Sequence, residues 1–184
     1  VTQEIKCYGA SSLGTQEGKQ GVMNLIQDMN EIKLIGVGVT EAGLANSSTQ
    51  AVLDLYEILT LIATRILNNQ MKCSNPNGKL CVVNTDNVSY NGDTIRKFMM
   101  ELVAKSGNED LETFFKDMIV FHNSMVDRIT SQREGSNGLV PRAEPTPAKA
   151  LVIEDLGAHL PVELLDENIQ KDYGVVVRSQ VGQL

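Results

Sequence analysis

Apolar residues change period repeatedly along this chain. Val22, Leu25, Ile26 and Met29 recur at helical spacing, and IKLIGVGV (Ile32 to Val39) follows as an unbroken apolar run of strand length, so the pattern predicts a helix leading into a buried strand. From Thr49 to about Leu67 the helical period returns through Val52, Leu55, Tyr56, Leu59, Ile62, Ala63 and Ile66, with Ser48 or Thr49 available as N-cap. Asn75-Pro76-Asn77-Gly78 is a turn signal, and KLCVVNT (Lys79 to Thr85) is a second apolar, β-branched strand. After Asn91-Gly92 comes a helix whose buried face is Ile95, Phe98, Met99, Leu102 and Val103, then a helix over about Leu111 to Met118 feeding a strand at Ile119 to Phe121. Strands alternating with long helices predict a parallel sheet with right-handed crossovers, an α/β, doubly wound fold.

The ends of the chain read differently. VTQEIKCYGASS, from Val1, has strand character with no helix start before it, and a chain opening on Val is expected to be a piece of a longer polypeptide. Ser131 to Ala148 is rich in Gly, Pro, Ser, Asn and Arg and predicts a surface loop before a strand at Ala150 to Ile153. Residues 156–184 form a tail in which Val175 to Val177 has strand character.

Length and composition fit one domain: 184 residues, 42% hydrophobic, enough to bury a single ordinary core. Sixteen basic against 23 acidic residues leave a net charge of −7, which supplies no basic stripe for nucleic acid or an anionic membrane. Cys7, Cys73 and Cys81 are odd in number and form no C-x-x-C pair, which suits buried thiols in a reducing, cytoplasmic setting. No segment has the length of a membrane span or the pattern of a signal peptide.

Known chemical motifs are scarce. Gly36 and Gly38 have G-x-G spacing, but the third glycine of a dinucleotide fingerprint would fall at Glu41, and the pair sits within the apolar run. They are read instead as glycines that let the strand pack closely. There is no Walker A lysine loop, no H-E-x-x-H helix and no G-x-S-x-G elbow, and His122 and His159 are the only histidines, so no metal site is expected. His122 is read as a partly buried, hydrogen-bonded strand end.

What remains is a convergence of polar strand ends. Thr40-Glu41, Thr85-Asp86-Asn87, and Asn123 with Asp127-Arg128 each follow an apolar strand, and in a parallel sheet they emerge on the edge where α/β proteins hold ligands. Taken singly, each is as well explained as a turn or cap residue. Asp127 and Arg128 are distinctive as an acid and a base set between apolar Val126 and Ile129.

These residues resemble the polyol-specific long-chain dehydrogenases, the mannitol dehydrogenase family that includes the hexuronate reductases. Ile119-x-Phe121-x-x-Ser124-x-Val126-Asp127-Arg128-Ile129-x-Ser131 is similar to that family's signature. TDNVSYNGDTIRK (Thr85 to Lys97) resembles its S-x-D-N segment, EIKLIGVGVTEAG its strand ending in T-E-G-G, and Ala143-Glu144-Pro145 its C-E-P turn. The resemblance runs from about Ile5 to Asp155 and implies the latter part of an N-terminal Rossmann-like domain, a fold incomplete relative to the family. The glycine-rich phosphate turn is expected before Val1, and a helical C-terminal domain carrying the K-x-x-x-x-N-x-x-H motif after Leu184; no lysine here is followed by that pattern.

The family implies an enzyme using NAD or NADP to interconvert a sugar alcohol or hexonate with its ketose or keto-acid, without a metal. By resemblance Asn87 supplies half of an oxyanion site, and Asp127 is an active-site aspartate that orients substrate hydroxyls. Arg128 is its structural partner or a clamp on the backbone, Glu144 approaches the substrate from its loop, and Thr40, Glu41 and Asp86 border the cofactor. The base lysine and partner asparagine are expected from the missing C-terminal domain of the same polypeptide. TPAKALVIED (Thr146 to Asp155) replaces the family's aromatic-rich segment, which leaves the polyol or hexonate unnamed. Two other readings stand beside this one: a catalytically silent Rossmann-like remnant acting as a binding domain, and a flavodoxin- or receiver-like module, which lacks an acidic pocket near the first strand.

Overall fold

Helix and strand alternate as the hydrophobic pattern predicts, and the α/β, Rossmann-like class holds. The computed structural model describes residues 9–126, 131–132, 141–142 and 151–179. In chain order the elements are helix α1 (Gln16–Asp28), strands β1 (Glu31–Ile32) and β2 (Leu34–Val37), helix α2 (Gln50–Leu67), strands β3 (Lys72–Cys73) and β4 (Leu80–Asn84), and helices α3 (Asn91–Ser106) and α4 (Glu109–Asp117). Strands β5 (Ile119–His122), β6 (Ser124–Val126), β7 (Ser131–Gln132), β8 (Pro141–Arg142) and β9 (Leu151–Glu154) follow, then a 3-10 turn η1 (Val162–Leu165), helix α5 (Glu167–Tyr173) and strand β10 (Val175–Arg178).

The central sheet has the order β2-β4-β5, all parallel, with Leu34 opposite Cys81 and Leu80 opposite Ile119. A second sheet, β10-β9-β6, continues it, because β6 follows β5 after a single residue and pairs antiparallel with β9. Side chains on β4 alternate in direction, and the alternation separates two cores. Leu80 and Val82 join a large cluster with Ile26 of α1, Leu55, Leu59 and Ile62 of α2, Ile95, Phe98 and Met99 of α3 and Phe114 and Phe115 of α4. Cys81 and Val83 face a smaller cluster with Ile153 and Leu160, walled by Leu164, Val175 and Val177. Helices thus cover one face of the central sheet, and the β9–η1–α5–β10 unit packs on the other.

Several boundaries differ from expectation for visible reasons. The run Ile32 to Val39 is two strands rather than one, because the chain changes neighbour at Lys33: β1 pairs with β3 and β2 with β4. The Lys33 carbonyl at this switch accepts from the buried Asn75 side chain at 2.6 Å and from the Cys81 amide at 3.3 Å. Thr49 does occupy the N-cap of α2, but its hydroxyl donates to the Gly43 carbonyl at 2.5 Å instead of accepting from the helix. Within the expected loop from Ser131 to Ala148, β7 and β8 form a short antiparallel pair, and the expected tail contains η1, α5 and β10. The strand expected at the N-terminus falls largely on residues 1–8, outside the described residues, and residues 9–12 belong to no helix or strand.

The glycine reading is corrected. A Cβ on Gly36 would meet nothing within 4 Å and one on Gly38 only the Thr85 hydroxyl at 3.7 Å, so neither is required for close packing, and Gly38 lies just past β2. A tight approach of the central sheet to a helix is at Gly92, at the start of α3, where a Cβ would lie 2.4 Å from the His122 carbonyl carbon and 2.7 Å from the Asn123 amide nitrogen. Backbone cannot yield as a flexible side chain does, so Gly92 fixes how closely α3 seats on the end of β5.

His122, 3% exposed, is buried more completely than expected. Its Nδ1 lies 2.9 Å from the Glu154 carbonyl oxygen; a carbonyl only accepts, so Nδ1 carries the proton in the neutral ring. Burial, the largest influence, holds the imidazole below its ordinary value of 6.5, against the Glu154 carbonyl and the Asp155 carboxylate, which favour the charged form. Cys81 is also buried as expected; its Sγ–H donates to the His159 carbonyl at 3.1 Å, and burial followed by the charge of Asp155 pushes its pKa up to about 12. Cys7 lies outside the described residues.

Two outcomes follow for stability. Gly92→Ala should cost about 2–3 kcal/mol while Gly36→Ala stays within about 0.5 kcal/mol; chemical denaturation of both variants checks the contrast, and equal losses would refute the role of Gly92. Because the unfolded chain takes up a proton on His122 near pH 6.5 and the folded chain resists it, the unfolded state binds more protons below that pH and stability falls on acidification. Urea midpoints between pH 7 and 5, with the His122 ring followed by NMR, should fall with pH while the folded-state imidazole titrates below its ordinary value of 6.5.

Candidate functional site at the strand ends

The carboxyl ends of β2, β4 and β5 lie on one edge because all three strands are parallel and in register. Backbone groups just past these ends have lost their neighbouring strand and need other partners. Asparagine side chains supply them. Val39, two residues beyond β2, donates its N–H to Asn84 Oδ1 at 2.9 Å, and its carbonyl accepts from Asn84 Nδ2 at 2.9 Å. The carboxamide thereby imitates the next peptide of a strand, and Asn84 is only 1% exposed.

Asn91 repeats the device on the other side. Its Oδ1 accepts from the Ser124 amide at 3.0 Å, and its Nδ2 donates to the Ser124 carbonyl at 3.0 Å and the Asp86 carbonyl at 3.2 Å. The Ser124 hydroxyl in turn donates to the Asn84 carbonyl. Asn123, between β5 and β6, accepts from the Asp93 amide at 3.1 Å and donates to the Asp93 carboxylate at 3.0 Å and the Glu154 carboxylate at 3.3 Å. These bonds hold the loop from Thr85 to Tyr90 at both ends.

Four of the expected site residues stand on this edge. Thr40 and Glu41 are exposed at the turn after β2, where the Thr40 hydroxyl accepts from the Gly43 amide at 3.4 Å. Asp86 is half-buried and Asn87 exposed after β4, and neither side chain has a hydrogen-bond partner among the described residues. The Asn87 amide is therefore a donor with no structural duty, unlike Asn84, Asn91 and Asn123. Asp127, Arg128 and Glu144 lie outside the described residues.

Past β5 the edge opens into a cleft of about 280 Å³ lined by Asp93, His122, Asn123, Glu154, Asp155 and His159 together with apolar residues. Its polar walls are rich in acceptors and contain no lysine or arginine, which suits hydroxyl-bearing groups better than phosphate. The Asp155 carboxylate is occupied structurally, accepting from the His159 and Leu160 amides at 3.0 Å. His122 Nε2 is buried with no partner among the described residues. No group of acidic, cysteine or histidine side chains suited to a metal occurs among the described residues, and no helix there is long and apolar enough to cross a membrane.

In the sequence Asn84 and Asn91 read only as parts of a strand and a turn. Only the register that sets Asn84 beside Val39, and the crossover that brings Asn91 to Ser124, reveal their work.

Comparison with known proteins agrees with this architecture. Among curated proteins none matches the chain by sequence. The fold is similar to that of a D-sorbitol dehydrogenase solved in substrate-free form, with a TM-score of 0.60 and 19% identity over 88% of this chain and 36% of that one. It is also similar to Pseudomonas fluorescens mannitol 2-dehydrogenase, solved as a ternary complex with NAD and D-mannitol, with a TM-score of 0.64 and 18% identity over 90% of this chain and 37% of that one. The chain thus spans little more than a third of the length of either structure. Residues 3–163 match the family model of the mannitol dehydrogenase Rossmann domain, and the chain belongs to the mannitol dehydrogenase family.

Proposed function

We propose that this chain forms part of an NAD(P)-dependent oxidoreductase that interconverts a sugar alcohol or hexonate with the corresponding ketose or keto-acid. The observation that carries the reading is the unpartnered Asn87 amide, exposed at the carboxyl edge of a parallel sheet between two asparagines that are fully engaged. Oxidation of a secondary alcohol develops negative charge on its oxygen, and a neutral amide donor stabilises that charge without taking up the proton itself. Asn87 is assigned that task. Bound NAD or NADP supplies the hydride acceptor.

The edge is chemically suited to such a group. Thr40, Glu41 and Asp86 offer hydroxyl and carboxylate acceptors to ribose or amide donors, and they are assigned to border the cofactor. Asp127, immediately after β6, is assigned to accept hydrogen bonds from substrate hydroxyls. Arg128 is assigned as its partner or as a backbone clamp, and Glu144 as a further substrate contact. The acceptor-rich cleft past β5 supports a polyhydroxylated substrate. The proton acceptor is assigned to a lysine contributed from outside residues 1–184, within a C-terminal domain of the same polypeptide, and a cytoplasmic setting accords with the free thiols of Cys73 and Cys81.

A second reading is a catalytically silent remnant that serves as a binding domain. Calorimetry of this chain with NAD+ and NADH tests the second reading, because micromolar binding contradicts a remnant. In polyol oxidation with NAD+ by the intact polypeptide, Asn87→Ala should lower turnover by roughly 10²-fold with little change in cofactor affinity; an unchanged rate removes Asn87 from the oxyanion site.

A further inference from the structure

Tyr90 is not explained by folding. Its side chain is 74% exposed, and its backbone is held at φ 51°, ψ 38°, a left-handed conformation that side chains other than Asn and Asp seldom adopt. The flanking residues show how that conformation is enforced. Asn91 is tied to Ser124 and to the Asp86 carbonyl, Gly92 abuts the backbone of His122, and the Tyr90 carbonyl accepts from the Thr94 amide at 3.0 Å. Tyr90 sits at the apex of a turn locked on both sides. The aromatic pair in the described core is Tyr56 with Phe115, and Tyr90 has no part in it.

An exposed aromatic ring contributes little to a core, and Asn or Gly would accept this backbone at lower cost. Local strain on a rigid support is characteristic of ligand sites. The position specifies the ligand. Tyr90 lies three residues after Asn87, on the same loop between β4 and α3.

We propose that Tyr90 is a binding residue whose ring stacks on the nicotinamide of the dinucleotide, an inference that rests on the hydride-transfer reading above. Hydride transfer requires the nicotinamide ring to lie in contact with the carbon whose oxygen Asn87 holds, and Tyr90 presents an exposed ring from the same loop, three residues from Asn87. The oxidised nicotinamide is flat and cationic, and the face of a phenol ring attracts such a group. An acyclic polyol offers no comparable flat surface. The oxidised cofactor should therefore gain more from Tyr90 than the reduced one.

The chain has four tyrosines and no tryptophan, so the Tyr90 ring signals can be assigned by NMR with Tyr90→Phe as reference. NAD+ and nicotinamide mononucleotide should shift those signals, whereas ADP-ribose should not. Tyr90→Asn, whose side chain tolerates the backbone angle, should leave Tm unchanged or raise it by about 2 °C, while weakening NAD+ binding about tenfold. Tyr90→Phe should retain the affinity. Wild-type affinity in Tyr90→Asn would overturn the stacking role and leave the dinucleotide reading intact. A fall in Tm that accounts for the lost affinity would show a structural role instead, and failure of the intact wild-type polypeptide to bind NAD+ would overturn both readings.

Discussion

Backbone groups at the end of a parallel strand must find partners once the neighbouring strand stops. In this protein that requirement is met by side-chain carboxamides, which have the same donor and acceptor as a peptide and can stand in for one. Asn84 pairs with both backbone groups of Val39, and Asn91 with both of Ser124. Through the Ser124 hydroxyl and the Asn84 carbonyl the two pairs join into one network across β2, β4 and β6. Burial makes each bond matter, since an unpaired amide removed from water costs roughly 1–3 kcal/mol. The network determines where the polar loops beyond β2 and β4 begin, and so where Thr40, Glu41, Asp86 and Asn87 stand.

Packing beneath this edge serves the same end. α3 seats against the end of β5 because Gly92 has no Cβ to collide with the His122 carbonyl, and Asn123 then reaches the Asp93 amide in the first turn of that helix. The loop between β4 and α3 is left short, tethered at both ends, and open to solvent at Asn87 and Tyr90. A donor without a structural duty and an exposed ring carried on left-handed backbone are hard to account for by stability alone. They are what a site that must position a ligand would contain.

The elements were legible in the sequence because each long helix and each apolar strand buries a continuous face, which leaves a period in the order of residues. α2, α3, β4 and β5 were found within a few residues of their ends. The family, too, was legible from Ile119 to Ser131 and Thr85 to Lys97, where polar residues interrupt apolar segments in a fixed order. The two-part strand at Lys33 was not, because a change of neighbour leaves no mark on hydrophobicity. Nor was the indifference of Gly36 to packing, since a glycine's surroundings are set by other parts of the chain.

The sequence by itself determined the α/β class, the parallel edge on which Thr40, Glu41, Asp86 and Asn87 gather, and membership of a dehydrogenase family. These depend on local periodicity and on residue identity. Only the tertiary structure decided which asparagine is free and which is spent. Asn84, Asn87, Asn91 and Asn123 are chemically identical, and what separates them is whether a polar group from a distant segment lies within hydrogen-bond reach. That is settled by strand register and by the seating of α3, both products of contacts between residues far apart in the chain.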